Sequence, residues 1–283
     1  MKSRSHSQTN LRMLLIAVVI FSSLGITRIS FAKSKATDSF SKSYPVENIS
    51  MTTIETTNGA ISVSGYDGDE IKVDAEFVVK GKKKEVCEKL VKKIELKIHI
   101  TKKKFEVETD FKKKLGYSSQ VSINMQVPFR MSIEAESMNG GVFVEDITGG
   151  VELETVNGGI KCENVSGGVE VETVNGGVSL NNIEGNTSAE TVNGGLMAEF
   201  NKTTPEQVAL NTVNGRVSVS FASTPNGLVE ASTINGSLSI SGKRIAKTGI
   251  FMKTYSNQFG DGKGEYHFST VNGSVNIDMP ETN

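Results

Sequence analysis

The sequence predicts an all-β fold, a single-stranded β-solenoid (β-helix) of about seven coils preceded by a small α+β cap at its N-terminal end. Three observations carry this reading: the spacing of Asn-Gly pairs, the alternation of residue types between them, and a change of pattern before the first regular repeat. Asn-Gly pairs begin at Asn58, Asn139, Asn157, Asn175, Asn193, Asn214, Asn235 and Asn272, and from Asn139 the steps are 18, 18, 18, 21, 21 and 37 residues. Most follow the same two residue types, as in Thr155-Val156, Thr173-Val174 and Thr191-Val192. A fixed period of this size marks a repeat architecture.

Each 18-residue unit divides into two halves of 9, and within a half positions 4, 6 and 9 are apolar (Val151, Leu153, Val156; Val169, Val171, Val174). Positions 5 and 7 are polar (Glu152, Glu154; Glu170, Glu172). That alternation is a short strand with one buried face, and the Gly pair opening each half is a turn that needs positive φ or close backbone approach. One coil cannot bury its apolar row, so coils stack, each strand pairing with its equivalent about 4.8 Å away. Asn-Gly between alternating runs also signals hairpins. Hairpins, however, do not require the same residue at the same offset in every unit, whereas stacking would align Asn139, Asn157, Asn175, Asn193, Asn214, Asn235 and Asn272 into one structural ladder of side-chain amides. The 21-residue coils lengthen their turns at Lys202–Pro205 and Ser223–Gly227, and residues 241–265 form a larger insertion, expected on a binding edge. Val275 and Ile277 are expected in the last coil.

Before the repeats, Ile71, Val73, Ala75 and Phe77 alternate as a strand, and Lys82–Lys93 carries Val86, Leu90 and Val91 at helical spacing. Leu96–Ile100 and Phe105–Thr109 read as two strands around Lys102–Lys104, and Val121–Ala135 as one long strand entering the first coil. One helix on a small sheet would cover the open end of the stack, where bare strands invite aggregation. The expected division is a signal peptide over 1–32, a linker over 33–47, the α+β cap over 48–130 and the repeat domain over 131–283.

The 283 residues are 37% hydrophobic and 22% charged, with 2 Cys and no Trp, at a net charge of −1. This is too polar for a polytopic membrane protein, and Cys87 and Cys162 alone exclude a disulfide framework. His6, His99 and His267 are too scattered for a histidine metal site. The near-neutral total hides an asymmetry: residues 33–130 hold 19 Lys+Arg against 14 Asp+Glu, residues 131–283 hold 8 against 18. Lys2, Arg4 and Arg12 precede an apolar run from Met13 to Ile26, and Ser30 and Ala32 place small residues at the −3 and −1 positions of a cleavage site. This is the layout of a secretory signal peptide; the rival is an uncleaved anchor, for which the run falls short of the roughly 20 residues needed to span. The mature chain is expected to lack an integral membrane segment and to reside in the periplasm, at the cell surface or outside the cell.

With these residues in place, the chain resembles a known family. The signal segment, the strand at Asp67–Phe77, the charged helix, the strand at Val121–Pro128 and the Thr-x-Asn-Gly repeats together are similar to the bacterial putative-adhesin family of β-strand-repeat proteins, which includes the LiaG-like proteins. The resemblance covers residues 45–280, and it implies the repeat fold and an envelope location. It carries over no catalytic residue.

Calcium-binding nonapeptide repeats share the nine-residue unit but need Asp at position 6, which here is Leu153, Cys162, Val171, Leu180 or Ala189; that class is excluded. The outward positions of alternate strands would stack Glu134, Glu136, Glu152, Glu154, Glu170, Glu172 and Glu190 on one face. Read one way, these keep a stackable sheet soluble. Read the other, they form a face for a cationic partner or a surface divalent cation, the only cofactor role left open. Clusters at Lys82–Lys84, Lys102–Lys104 and Lys112–Lys114 are either solvated loops or a patch for anionic lipid or acidic envelope polymer. Nucleic acid is not expected as a partner, because no aromatic platform lies among these lysines. Cys162 reads as a small core residue. Paired carboxylates could serve glycoside hydrolysis, yet the rows single out no pair, and Phe143 is the only aromatic residue over 131–199. The chain is therefore read as no enzyme but a noncatalytic exported binding, adhesion or scaffold module, with envelope polysaccharide or a surface protein as partner. The alternatives are a polysaccharide-modifying enzyme on a β-helix and an accessory factor in envelope-stress signalling.

Overall fold

A computed structural model describes residues 34–46, 48–111, 114–202, 204–245 and 252–280. The expected signal peptide lies outside them. Lys33–Asn283 forms one compact unit, and it holds the apolar core of the described residues.

The chain runs through β1 (Ser34–Pro45), β2 (Met51–Asn58), β3 (Ile61–Tyr66), β4 (Glu70–Gly81), helix α1 (Lys84–Val91), β5 (Glu95–Ile100), β6 (Lys104–Asp110) and β7 (Tyr117–Pro128). The repeats supply β8 (Ser132–Asn139), β9 (Val142–Ile147), β10 (Val151–Asn157), β11 (Ile160–Val165), β12 (Val169–Asn175), β13 (Val178–Ile183), β14 (Thr187–Asn193), β15 (Leu196–Phe200), β16 (Gln207–Asn214) and β17 (Val217–Phe221). They are followed by β18 (Gly227–Asn235), β19 (Leu238–Ile240), β20 (Lys243–Ile245), β21 (Lys253–Phe259), β22 (Gly264–Asn272) and β23 (Val275–Asp278).

The strands form two sheets in a solenoid-like arrangement. Sheet A has the order β1-β4-β7-β3-β9-β11-β13-β15-β17-β23-β19-β20, and sheet B the order β21-β18-β22-β16-β14-β12-β10-β8-β2-β6-β5. Pairing between repeats is parallel, with Leu153 opposite Val171 and Cys162 opposite Leu180. Parallel register at a fixed 18-residue offset excludes the hairpin meander, whose strands would pair antiparallel.

The alternation buries Val151 and Leu153 in sheet B and Ile160 and Cys162 in sheet A, and the two inner faces share one core. The two sheets use position 9 differently. In sheet A, Ile147, Val165 and Ile183 are buried as expected. In sheet B, Val156 and Val174 are only half-buried, while Thr155 and Thr173 turn inward. Strict alternation persists there because each threonine has a polar partner inside: Thr155 Oγ1 donates to the Gly140 carbonyl oxygen at 3.0 Å. Sheet A departs from alternation through Asp146, Asn164 and Asn182, at φ of 58°, 54° and 54°. Each is a single residue in the left-handed region, which Asn and Asp tolerate best, repeated at the same place in successive layers.

The Gly pairs are required by closeness rather than by positive φ. A Cβ on Gly158 would meet the Gly140 carbonyl oxygen at 2.0 Å, and one on Gly176 would meet that of Gly158 at 1.8 Å. The second Gly is freer, 3.3 Å at Gly159, and Arg216, Ser237 and Ser274 stand at that position in later layers.

Three expectations are corrected, and the insertion acquires a strand. Residues 34–45 are not a linker: β1 pairs antiparallel with β4 along its whole length. The segment 48–130 does not simply precede the stack, since β2 and β3 pair in parallel with β8 and β9 as further repeat layers. Val121–Ala135 is broken at Phe129, Arg130 and Met131 into β7 and β8, which belong to different sheets. The 241–265 insertion contains β21, which lies antiparallel on β18.

Layer order also departs from chain order at both ends. β22 and β23, with Val275 and Ile277, lie between β16–β17 and β18–β19 rather than at the end. At the other end β2 and β3 likewise lie between β8–β9 and β6–β7. Aromatic packing accompanies the C-terminal insertion: Phe221 stacks on Phe200 at 5.2 Å and meets Tyr266 edge-on at 5.7 Å. Tyr266 Oη also donates to the Pro205 carbonyl oxygen at 2.8 Å.

Candidate functional site

The outer face of sheet B is built by the register of its strands. Glu134, Glu152 and Glu170 fall opposite one another, followed by Ser188, Ala209, His267 and Glu230. Two residues along, Glu136, Glu154, Glu172 and Glu190 form a second row, followed by Asn211, Ser269 and Ser232. The structure thus brings together all seven glutamates singled out from the sequence. Both rows also extend onto strands not foreseen there: Glu55 faces Glu136, Glu108 faces Glu55, and Glu106 faces Thr53 beside Glu134. Glu55 precedes Asn58 by the offset at which Glu136 precedes Asn139, a signal present in the sequence. Glu106 and Glu108 precede no Asn-Gly pair.

Neutralisation is uneven along the rows. Lys104 Nζ lies 3.6 Å from Glu134 and 3.2 Å from Glu106, and Thr53 Oγ1 donates to Glu134 at 3.1 Å. At the far end Asn211 Nδ2 donates to Glu190 at 3.4 Å, and His267 lies 3.1 Å from Glu230. In the middle, partial burial and like charges act together. Partial burial, then the Glu136 and Glu172 carboxylates, push Glu154 up to about 7. Burial followed by Glu55 raises Glu136, and burial followed by Glu170 raises Glu152. An open groove of about 610 Å³ runs along the first row, lined by Glu152, Glu170, Ser188, Ala209 and His267.

Along the edge of the same sheet the Asn side chains form a hydrogen-bonded series. Asn157 Nδ2 donates to Asn139 Oδ1 at 3.0 Å, Asn175 to Asn157 at 3.0 Å, Asn193 to Asn175 at 2.9 Å and Asn214 to Asn193 at 2.9 Å. Asn272 then donates to Asn214, and Asn235 to Asn272, following layer order rather than chain order. Asn58 joins at the other end, accepting from Asn139 at 2.9 Å. A shorter series crosses sheet A, where Asn164 donates to Asp146 and Asn182 to Asn164, both at 2.8 Å.

Cys162 is buried in sheet A, and burial pushes its thiol up to about 12; Cys87 is buried on the inner face of α1. Both are free thiols. Among the described residues no group of three or more His, Cys, Asp or Glu is placed to hold a metal ion, and no helix is long and apolar enough to cross a membrane.

No curated protein matches the chain. Solved structures similar to it include a putative cell adhesion protein from Clostridium sporogenes, at 15% identity and TM-score 0.34 over 86% of this chain and 100% of that one. A putative adhesin from Bacteroides fragilis aligns at 10% identity and TM-score 0.44 over 85% of this chain and 97% of that one. One from Parabacteroides distasonis aligns at 10% identity and TM-score 0.36, with the same coverage, 85% and 97%. The model of the Toastrack DUF4097 family matches residues 47–278, from before β2 to the end of β23, and the chain belongs to that family.

Proposed function

We propose that this protein is a noncatalytic exported module of the envelope or cell surface that binds or scaffolds through the outer face of sheet B. The observation that supports this most is the pair of in-register glutamate rows, with Glu154 raised to about 7 by burial and by its neighbours. Like charges placed opposite each other across strands are destabilising. A partner that brings positive charge relieves that repulsion, so the rows favour a Lys- or Arg-rich segment of a surface protein or an amine-bearing envelope polysaccharide. Divalent cations are the competing neutraliser, since carboxylate oxygens are their preferred ligands.

The test is co-sedimentation of the protein with purified envelope polysaccharide, with and without calcium, while the supernatant is assayed for released sugar ends. Binding without release, lost when Glu152, Glu154, Glu170 and Glu172 are changed to Gln, is the expected result. Release of sugar ends would replace this reading with a polysaccharide-modifying enzyme.

A further inference from the structure

The end of the structure formed by β1, β4, α1 and β5 carries the opposite charge. Residues 80–104 contain 11 Lys against 3 Glu. Lys82, Lys83, Lys84, Lys89, Lys92 and Lys93 are all exposed, on or beside α1, while Cys87 and Val91 face inward. Among the described residues Lys84 alone of these six has an ion-pair partner, Glu88 at 3.9 Å, and both side chains are largely in solvent. An unneutralised cluster of this density is electrostatically costly to hold together without a counter-surface.

A second observation says where that cluster points in the chain. Ser34, the first described residue, pairs with Gly81, between Lys80 and Lys82. Cys87 Sγ on α1 donates to the Ser34 carbonyl oxygen at 3.5 Å. The chain therefore enters the fold beside the lysines. Six exposed lysines spread along α1 and its two flanking turns suit an extended anionic surface rather than a pocket-sized ligand.

We infer that this end docks on an anionic phospholipid bilayer, with Lys82, Lys83, Lys84, Lys89, Lys92 and Lys93 at the headgroups. Each lysine held at such a surface strengthens binding by roughly fivefold, and the attraction falls off within a Debye length. The glutamate rows of sheet B are repelled by the same surface, which leaves the basic end as the contact. This surface is separate from the glutamate face, so either can fail without the other.

The experiment is flotation of residues 33–283, the unit that holds the apolar core of the described residues, with vesicles of phosphatidylglycerol in phosphatidylcholine and with phosphatidylcholine alone. Binding to the anionic vesicles only, abolished by high salt, is expected. Lys82→Gln, Lys83→Gln and Lys84→Gln together should weaken it on the order of 100-fold. Lys161→Gln with Lys202→Gln, which lie on other strands and turns, should leave it unchanged, and equal thermal melts show that all variants fold. Equal binding to both vesicle types, binding indifferent to the three lysines, or lysine-dependent capture by a soluble acidic polysaccharide without vesicle binding would each overturn the inference.

Discussion

Thr173 Oγ1 donates a 3.1 Å hydrogen bond to the carbonyl oxygen of Gly158, one layer away in the stack. The bond recurs from Thr191 to Gly176, Thr212 to Gly194 and Thr270 to Gly215. It explains why threonine rather than an apolar residue occupies an inward position of sheet B: the corner carbonyl needs a donor that the apolar core cannot supply. Thr173→Val keeps the shape and removes the donor, so urea denaturation should show a loss of about 1–3 kcal/mol. Thr173→Ser keeps the donor and should lose less.

The two glycines of one turn should respond differently to the same methyl group. Alanine at Gly158 places Cβ 2.0 Å from the Gly140 carbonyl oxygen, so the layers must separate locally, whereas at Gly159 the nearest atom is 3.3 Å away. Gly158→Ala is expected to cost about 1–3 kcal/mol or more, and Gly159→Ala to leave the thermal midpoint much closer to that of the parent. Equal midpoints would contradict the close-approach account.

At Asn164 the backbone has φ of 54° and the side chain bridges Asp146 to Asn182. Asn164→Gly loses the bridge but keeps the conformation; Asn164→Ala loses the bridge and adds strain of about 1 kcal/mol. Chemical denaturation should therefore rank parent, Gly and Ala in descending stability.

Glu154 sets a direction for the pH dependence. Its carboxyl is raised from 4.5 to about 7 in the fold, so between those values the folded chain holds a proton that the unfolded chain has released. Stability must then fall as pH rises from about 4.5 to 7, with the penalty fully present above that range. Glu154→Gln removes this contribution: its melting temperature should exceed that of the parent at pH 8 and approach it at pH 4, as calorimetry at the two pH values would show.

Much of this was legible in the sequence because the period is short and repeated. The offset of 18 residues between Asn157 and Asn175 dictates both the parallel register and the glutamate rows. Thr155 escaped an apolarity rule because its burial depends on a carbonyl in another layer. Asp146, Asn164 and Asn182 left a readable trace as Asx residues before an apolar one, but the pattern looks like ordinary polar exposure until the left-handed backbone is seen. The insertion of β22 and β23 between earlier layers had no local sign. The motif at Thr270–Gly273 is identical in kind to its predecessors, and its neighbours are selected by tertiary packing of Phe221 against Tyr266 and Phe268. Strand β1 was missed because Ser34–Pro45 is polar and lies at a sheet edge, where Ala36, Phe40 and Tyr44 are its residues packed against the core.

The most direct test of the account is the affinity for purified envelope polysaccharide of a protein carrying Glu152→Gln, Glu154→Gln, Glu170→Gln and Glu172→Gln, measured beside the parent at low and high salt. The account predicts that the parent binds with strong salt dependence, and that the variant is at least as stable yet loses binding by tenfold or more, about 1.4 kcal/mol. A stable variant that binds as tightly as the parent would contradict it, and would reduce the glutamate face to a solvated surface.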